Sequence, residues 1–412
     1  MLAFDTFTLD NGLRVVHHFD EKTPLAVVNI LYNVGARDEN ESLTGIAHLF
    51  EHLMFGGSKN AESYDEPLQR ASGENNAFTS NDITNYYVTL PAENIETALW
   101  LESDRMFQLN LTPKSLEVQQ GVVKEEFKQR YLNQPYGDLW LLFRPLAYTT
   151  HPYRWATIGK ELAHIENFTL KDGNSFYKKF YNPSNAVLVI AGNVSFKECK
   201  SLVNKWFNDV PAGEVNKNSY AVEPVQKEAR RLEVEREVPM TSLSIGFHCG
   251  ARTDADFYDL DLLSDMLGGS ASSRLHQKLV KEKQLFADIA AYSTESLDRG
   301  LFIVSGRIFP EIDTKIAEAA IWEELNAFKK EMPSQREWEK VINKKLTVLK
   351  FTELDVLNKA MNLALFTHLG DTNKINNEEG SFLATTPESI HTLANQLFIE
   401  SNSSTLVYKA KV

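Results

Sequence analysis

The chain has 412 residues, 43% of them apolar, and a formal net charge of −13. That length suits two domains of roughly 200 residues better than one core, and the apolar fraction favours packed interiors over disorder. The acidic balance argues against a nucleic-acid partner, whose phosphates need a basic face, and the only cysteines, Cys199 and Cys249, provide neither a disulfide framework nor a thiolate metal site.

From the start of the chain, "MLAFDTFTLDNGLRVV" reads as a strand, a turn at Asn11-Gly12 and a second strand. It lacks the basic and apolar regions of a secretory signal, and no apolar run in the chain is long enough to span a membrane. The expected location is cytoplasmic, or periplasmic for a chain whose leader has been removed. "LAVVNILYNVGAR" (Leu25–Arg37) is a buried strand ending in a glycine, and a helix follows over about Ser42 to Phe55. Asn76–Pro91 predicts a hairpin, with β-branched and aromatic residues on either side of "SND". "NIETALWLESDRMFQL" predicts an amphipathic helix with Ile95, Leu99 and Met106 on one stripe. Ser115–Leu132 predicts another helix, and Asn185–Val194 a fully buried strand. His17 and His18 are expected at the surface, Tyr86 and Tyr87 in strand packing, and His151 in packing or a turn rather than as a ligand.

Pro211–Arg231 is polar, proline-containing and unpatterned, and after it the pattern restarts. "TSLSIGFHCGARTD" echoes "VVNILYNVGARDE", "DMLGGS" echoes "HLMFGGS", and "SNSSTLVYKA" echoes "SNAVLVIAG", all in the same order. This predicts an internal duplication: an N-terminal domain over 1–215, a linker over 216–231 and a homologous C-terminal domain over 232–412. The charge-rich Glu228–Glu237 is expected to be a solvated lead-in to the second domain's first strand.

"GIAHLFEHLMFGG" (Gly45–Gly57) sets His48 and His52 four residues apart on an otherwise apolar helix, with Glu51 beside them. Positions i and i+4 share a face, so both imidazoles can address one ion. Zinc suits that donor set, and a catalytic zinc takes three protein ligands and keeps a position for water. Glu51 need not be a ligand; it is placed to take a proton from that water. In the second copy, the corresponding "DLDLLSDML" has no histidine, which suggests that the polar trio serves chemistry rather than packing. For a third ligand, "LEVQQGVVKEEFKQR" offers Glu125 and Glu126. Glu126 is i+3 and i+4 from Val123 and Val122, which are expected to face the core, so it is preferred and Glu125 is the alternative.

These motifs, with "NAFTSNDITNYYVTLP", "LESDRM", "VVKEEF", "HPY" (His151–Tyr153) and "YNPSNAVLVIAGNV", resemble the pitrilysin/insulinase family of zinc metallopeptidases. The likeness is to its half-length members, which resemble the mitochondrial processing peptidase subunits, and it covers nearly the whole chain. The family's motif is the inverted H-x-x-E-H. The resemblance implies an α+β fold of two homologous domains, each a mostly antiparallel sheet packed with helices. It further implies one Zn2+ per chain on His48, His52 and Glu126, Glu51 as general base, and a chamber closed by a second half. Substrate peptide would add as a strand at Asn76, Ala77, Phe78 and Thr79, a mode that holds an extended peptide through its main chain.

Two departures stand out. An auxiliary glutamate often found one stretch before the third ligand is Gln119 here. Aligning "LHQKLVKEKQLFADI" puts Val280 and Ala287 where active members carry an arginine and a tyrosine that contact substrate, and neither can donate to an oxyanion; Arg274 nearby is a possible substitute. The expected assembly is therefore a heterodimer with a homologous subunit supplying the Arg/Tyr pair, with a homodimer as runner-up, and the expected activity is peptide cleavage. The competing reading is a catalytically silent structural or binding subunit.

Overall fold

Strands β3 (Leu25–Tyr32) and β6 (Ala186–Gly192) are buried along nearly their whole length, so their sheet needs cover on both faces. In the computed structural model, which describes residues 1–411, they are the middle of a six-stranded sheet with β1 (Asp5–Thr8), β2 (Arg14–Phe19), β4 (Glu74–Thr79) and β5 (Thr84–Pro91), in the order β1-β2-β6-β3-β5-β4. A second sheet has five strands: β7 (Arg230–Arg236), β8 (Ser242–His248), β9 (Phe286–Ser293), β10 (Leu301–Ile308) and β11 (Ser403–Ala410), in the order β7-β11-β8-β10-β9. Only β2–β6 and β7–β11 run parallel. With β1 set aside, the two orders superpose strand for strand, β2 on β7, β6 on β11, β3 on β8, β5 on β10 and β4 on β9. The duplication read from sequence echoes is thus a duplication of topology, and the fold is α+β with two homologous, mostly antiparallel sheets.

The chain does not divide at a single point. One compact unit is made of Met1–Phe127, Trp155–Tyr220 and Lys350–Asn377, and the other of Lys128–Arg154, Ala221–Leu349 and the chain from Glu378 onward. The N-terminal and C-terminal domains expected over 1–215 and 232–412 each contribute a segment to the other unit. Packing gives the reason. The helix Val356–His368 lays Ala360, Leu363 and Ala364 on Val27, Leu31, Val187 and Val189, covering one face of the first sheet. The helix Leu139–Ala147 lays Phe143 and Ala147 on Leu301, Ile303 and Leu406 in the second. Helix Ile95–Phe107 packs on β3 and β5.

Several local expectations are corrected. His17 and His18 are buried, not at the surface: one ring nitrogen of His17 lies 2.7 Å from the Val194 carbonyl and one of His18 lies 2.8 Å from that of Ala3. Glu228–Glu237 is no lead-in, because β7 occupies Arg230–Arg236. Charges alternate with the half-buried Leu232 and Val234, a pattern that suits a sheet edge because the outward charges discourage further pairing. The helix expected to run to Leu132 is α-helical only over Pro113–Phe127 and widens into a π turn over Lys128–Leu132. The opening helix starts at Ile46, because Gly45 is left-handed (φ 87°) and ends the preceding loop.

The unpatterned linker is not loose. In the second unit, Glu223 is buried and accepts the N–H groups of Thr149, Thr150 and His151 at 2.8, 2.9 and 2.9 Å. In the first, Asp38 Oδ1 accepts from Asn216, Asn218 and Tyr220 at 2.6, 2.8 and 2.5 Å. Among the described residues no helix is long and apolar enough to cross a membrane, and Cys199 and Cys249 are free thiols.

The Leu139–Ala147 helix is expected to anchor the second sheet. Phe143→Ala should cost about 3–5 kcal/mol, read as a lowered midpoint in urea; a change below about 1 kcal/mol would show that the helix does not hold the sheet.

Candidate metal centre

Helix Ile46–Leu53 buries Ile46, Ala47, Leu49, Phe50 and Leu53. What remains is one narrow strip, His48, Glu51 and His52, half-buried at the edge of that packing. The apolar positions fix the helix rotation, so the strip is forced outward as a set. The two imidazoles meet edge to face, with ring centroids 4.9 Å apart and planes at 84°.

The third group comes from helix Pro113–Phe127. Val123 and Phe127 are buried and set its rotation. Val122, expected in the core, is 46% exposed instead; Val123 alone carries the i+3 relation that turns Glu126 inward. Glu126 Oε2 lies 3.7 Å from His48 Nε2 and 3.5 Å from His52 Nε2. Glu125 is exposed. Among the described residues, His48, His52 and Glu126 are the one group of three whose ligand atoms all lie within 4.8 Å of one another.

Glu51 is held from the sheet. Thr79 Oγ1 donates to Glu51 Oε2 at 2.5 Å. Thr79 ends β4, an edge strand that pairs with β5 alone. The Ser80 N–H donates to the Ile83 carbonyl at 2.9 Å, so 80 and 83 form a hydrogen-bonded pair. Alternation along an antiparallel ladder then turns the main-chain N–H and C=O groups of Ala77 and Thr79 away from β5, toward the open edge. The Ala77 N–H is taken by its neighbour's side chain, Asn76 Oδ1, at 2.8 Å. Asn76 and Phe78 are exposed, and Ala77 and Thr79 are half-buried on the face shared with Glu51. Of the four residues expected to contact substrate, Thr79 alone bonds the metal helix.

Two supports of this helix were not read from the sequence. At its C-terminal end, Arg105 is fully buried and paired with Glu102, Nε to Oε2 at 2.9 Å and Nη2 to Oε1 at 2.6 Å. Its guanidinium carbon lies 4.4 Å from the Tyr86 ring centre and 4.5 Å from that of Tyr64, and Nη1 donates to the Met54 carbonyl at 3.4 Å. Burial pulls this guanidinium down most strongly, but the attraction of Glu102 together with Tyr64, Tyr32 and Tyr86 outweighs it and keeps Arg105 charged. Burial likewise pushes the Tyr64 and Tyr86 hydroxyls up. At the N-terminal end, Glu39 accepts the Gly45 and Ala47 N–H groups at 2.9 and 2.8 Å. Burial pushes that carboxyl up to about 8, and the two backbone donors oppose the push. A sequence signal existed for one of them: "LESDRM" sets Glu102 and Arg105 at i, i+3, a pairing distance on a helix. The helix is not amphipathic as expected, since Glu102, Ser103, Asp104 and Arg105 are all buried.

In the second unit, the helix Phe257–Leu267 holds Asp261 and Asp265 four residues apart, and they are ion-paired with Lys345 and Lys344. The repeated helix position there serves charge pairing within the unit. Arg274, the possible substitute donor, is held by Glu337 at 2.8 and 2.7 Å and lies over the Phe328 ring. Val280 packs against the core of that unit. His151 is buried beside Tyr153, as a packing residue would be.

Comparison with known proteins bears on this geometry. Residues 14–136 match Insulinase (Peptidase family M16), and residues 167–345 match Peptidase M16 inactive domain. Zinc protease PqqE of Helicobacter pylori is 31% identical over 98% of this chain and 92% of its own length. The chain belongs to peptidase family M16, the insulinase family. A crystal structure of a protease from Helicobacter pylori shares the fold with a TM-score of 0.94 at 30% identity, covering 99% of this chain and 100% of that one. The periplasmic protease PqqL of Escherichia coli matches with a TM-score of 0.83 at 18% identity, covering 99% of this chain but 48% of that one. The family assignment agrees with the inverted motif and with the half-length, two-sheet fold.

The Glu102–Arg105 pair should be costly to break from one side. Glu102→Leu strands a buried guanidinium and is expected to destabilise by roughly 3–5 kcal/mol in chemical denaturation, whereas Glu102→Leu with Arg105→Met should recover much of that loss. Equal losses in both would show that the pair's charge compensation is not what matters there.

Proposed function

We propose that this chain is a zinc-dependent endopeptidase that cleaves peptides or unfolded segments inside a chamber formed with a second subunit. The observation that carries the proposal is the convergence of His48, His52 and Glu126 beside Glu51. Two imidazole nitrogens and one carboxylate oxygen are the donor set of a catalytic zinc. Tetrahedral ligands at about 2.0–2.2 Å from a metal lie roughly 3.3–3.6 Å apart, and the separations of 3.5 and 3.7 Å are close to that spacing. One zinc ion per chain fits the three groups. When bound it supplies Lewis acidity, which makes a water acidic at neutral pH and draws charge from a carbonyl.

The chain's own residues do the rest. Glu51 takes the proton of the attacking water and returns it to the departing amine nitrogen. The Thr79 hydroxyl holds one oxygen of Glu51. Ala77 and Thr79 offer outward main-chain groups along the edge of β4, where an extended peptide can pair as an added strand. Asn76 Oδ1 must release the Ala77 N–H for that pairing, so Asn76, Ala77, Phe78 and Thr79 act together as the substrate strand. The partner is a homologous subunit in a heterodimer that supplies an arginine and a tyrosine, because Val280 and Ala287 stand at those positions here and Arg274 is committed to Glu337.

Glu51→Gln should bind zinc as the wild type does and lose about 10²- to 10⁴-fold in turnover, checked by metal analysis and a peptide-cleavage assay. Turnover at the wild-type rate would remove Glu51 from the reaction. Glu126→Gln should lose zinc and Glu125→Gln should not; the reverse would reassign the third ligand. Cleavage should rise when a homologous chain carrying the Arg/Tyr pair is mixed in. Zinc bound without turnover in every pairing would favour a silent binding subunit, the reading that Val280 and Ala287 also support.

A further inference from the structure

The metal-site helix has a problem at its start. It spans eight residues, Ile46–Leu53, and helices shorter than about 12–15 residues are marginal by themselves in water. Its N-cap is Gly45, which is left-handed and makes no side-chain cap. No other residue fits there without strain, because a Cβ on Gly45 would sit 2.6 Å from the Ile158 carbonyl oxygen. The orphan N–H groups of the first turn therefore cannot be satisfied by the usual Ser, Thr, Asp or Asn at the cap. Glu39, from the preceding loop, takes that role at a distance. It is buried, and its two oxygens accept one N–H each from Gly45 and Ala47.

The two ends of the helix differ in how they are held. His52 sits in the last turn, between Leu49 and Leu53, which are in the core. His48 sits in the first turn, directly after Ala47, whose N–H is one of the two that Glu39 binds. A first turn that frays would move His48 relative to His52 and Glu126, while the buried positions further on keep the helix in place.

We propose that Glu39 is a positioning residue for the metal centre: its two carboxyl oxygens fix the first turn of the helix so that His48 meets His52 and Glu126 in one coordination sphere. The proposal rests on the metal-site reading above. It assigns Glu39 no contact with metal or substrate; it acts through the backbone of Gly45 and Ala47.

The test uses the full chain and compares wild type with Glu39→Gln and Glu39→Asp. Gln keeps the shape but turns an amide N–H₂ toward a backbone donor; Asp keeps both oxygens with a shorter reach. Three quantities are read: zinc affinity by chelator competition, the visible spectrum of the cobalt(II)-loaded protein, and the melting temperature of the zinc-free protein. Glu39→Gln is expected to weaken zinc binding about 10- to 100-fold and to change the cobalt spectrum, with the zinc-free melting temperature within about 4 °C of wild type. Glu39→Asp should fall between the two. Wild-type affinity and an unchanged cobalt spectrum in Glu39→Gln would overturn the proposal. So would a loss of affinity matched by unfolding of the zinc-free protein, which marks a general structural role; should Glu39→Gln not fold, Glu39→Asp decides by the same criteria. A wild-type protein that binds no zinc at all would instead sink the metal-site reading, so the two failures are distinguishable.

Discussion

A short apolar helix presents two imidazoles and a carboxylate at the margin of a dry core, and both of its ends are held by buried polar side chains. Alternating burial alone cannot do it, because eight residues supply too few backbone hydrogen bonds to hold their own ends. The chain answers with a buried polar side chain at each end. Glu39 meets the N-terminal N–H groups and Arg105 reaches the Met54 carbonyl just past the C-terminus. The charge of Arg105 opposes the partial charge that the helix dipole leaves at the C-terminus. Burying them is costly in isolation; two backbone donors compensate Glu39, and Glu102 with the rings of Tyr64 and Tyr86 compensates Arg105.

The same logic explains why two copies of one fold carry different chemistry. Both sheets have the same strand order, and both place a helix at the corresponding position. In the first copy the half-buried strip is His48, Glu51 and His52, faced by Glu126. In the second, Asp261 and Asp265 are ion-paired with Lys345 and Lys344.

The edge strand β4 touches the candidate centre through Thr79. Its ladder phase turns Ala77 outward, and Asn76 covers the resulting open N–H with its own side chain. An open edge is a hazard for unwanted pairing, and a removable cap of this kind guards it while leaving it available to a peptide. Thr79 at the same edge bonds Glu51, so the strand that would hold a peptide also orients the base that would act on it.

The sequence by itself determined the pieces that depend on local periodicity. The i, i+4 spacing of His48 and His52, the helix that offers Glu126, the hairpin containing β4 and the echoes between halves were all legible, because each follows from neighbours a few residues apart. Only the tertiary structure decided the rest. It brought Glu126 rather than Glu125 to the imidazoles through the burial of Val123 and Phe127, although Val122 stayed exposed. It buried His17 under the distant Val194 carbonyl and His18 under that of Ala3, made a strand of the charged Arg230–Arg236, and gave each sheet a covering helix from the other half. It recruited Glu39 and Arg105 to the ends of the metal helix. These outcomes turn on which faces meet at long separation, and hydrogen bonds and burial at that range leave no periodic trace in the sequence.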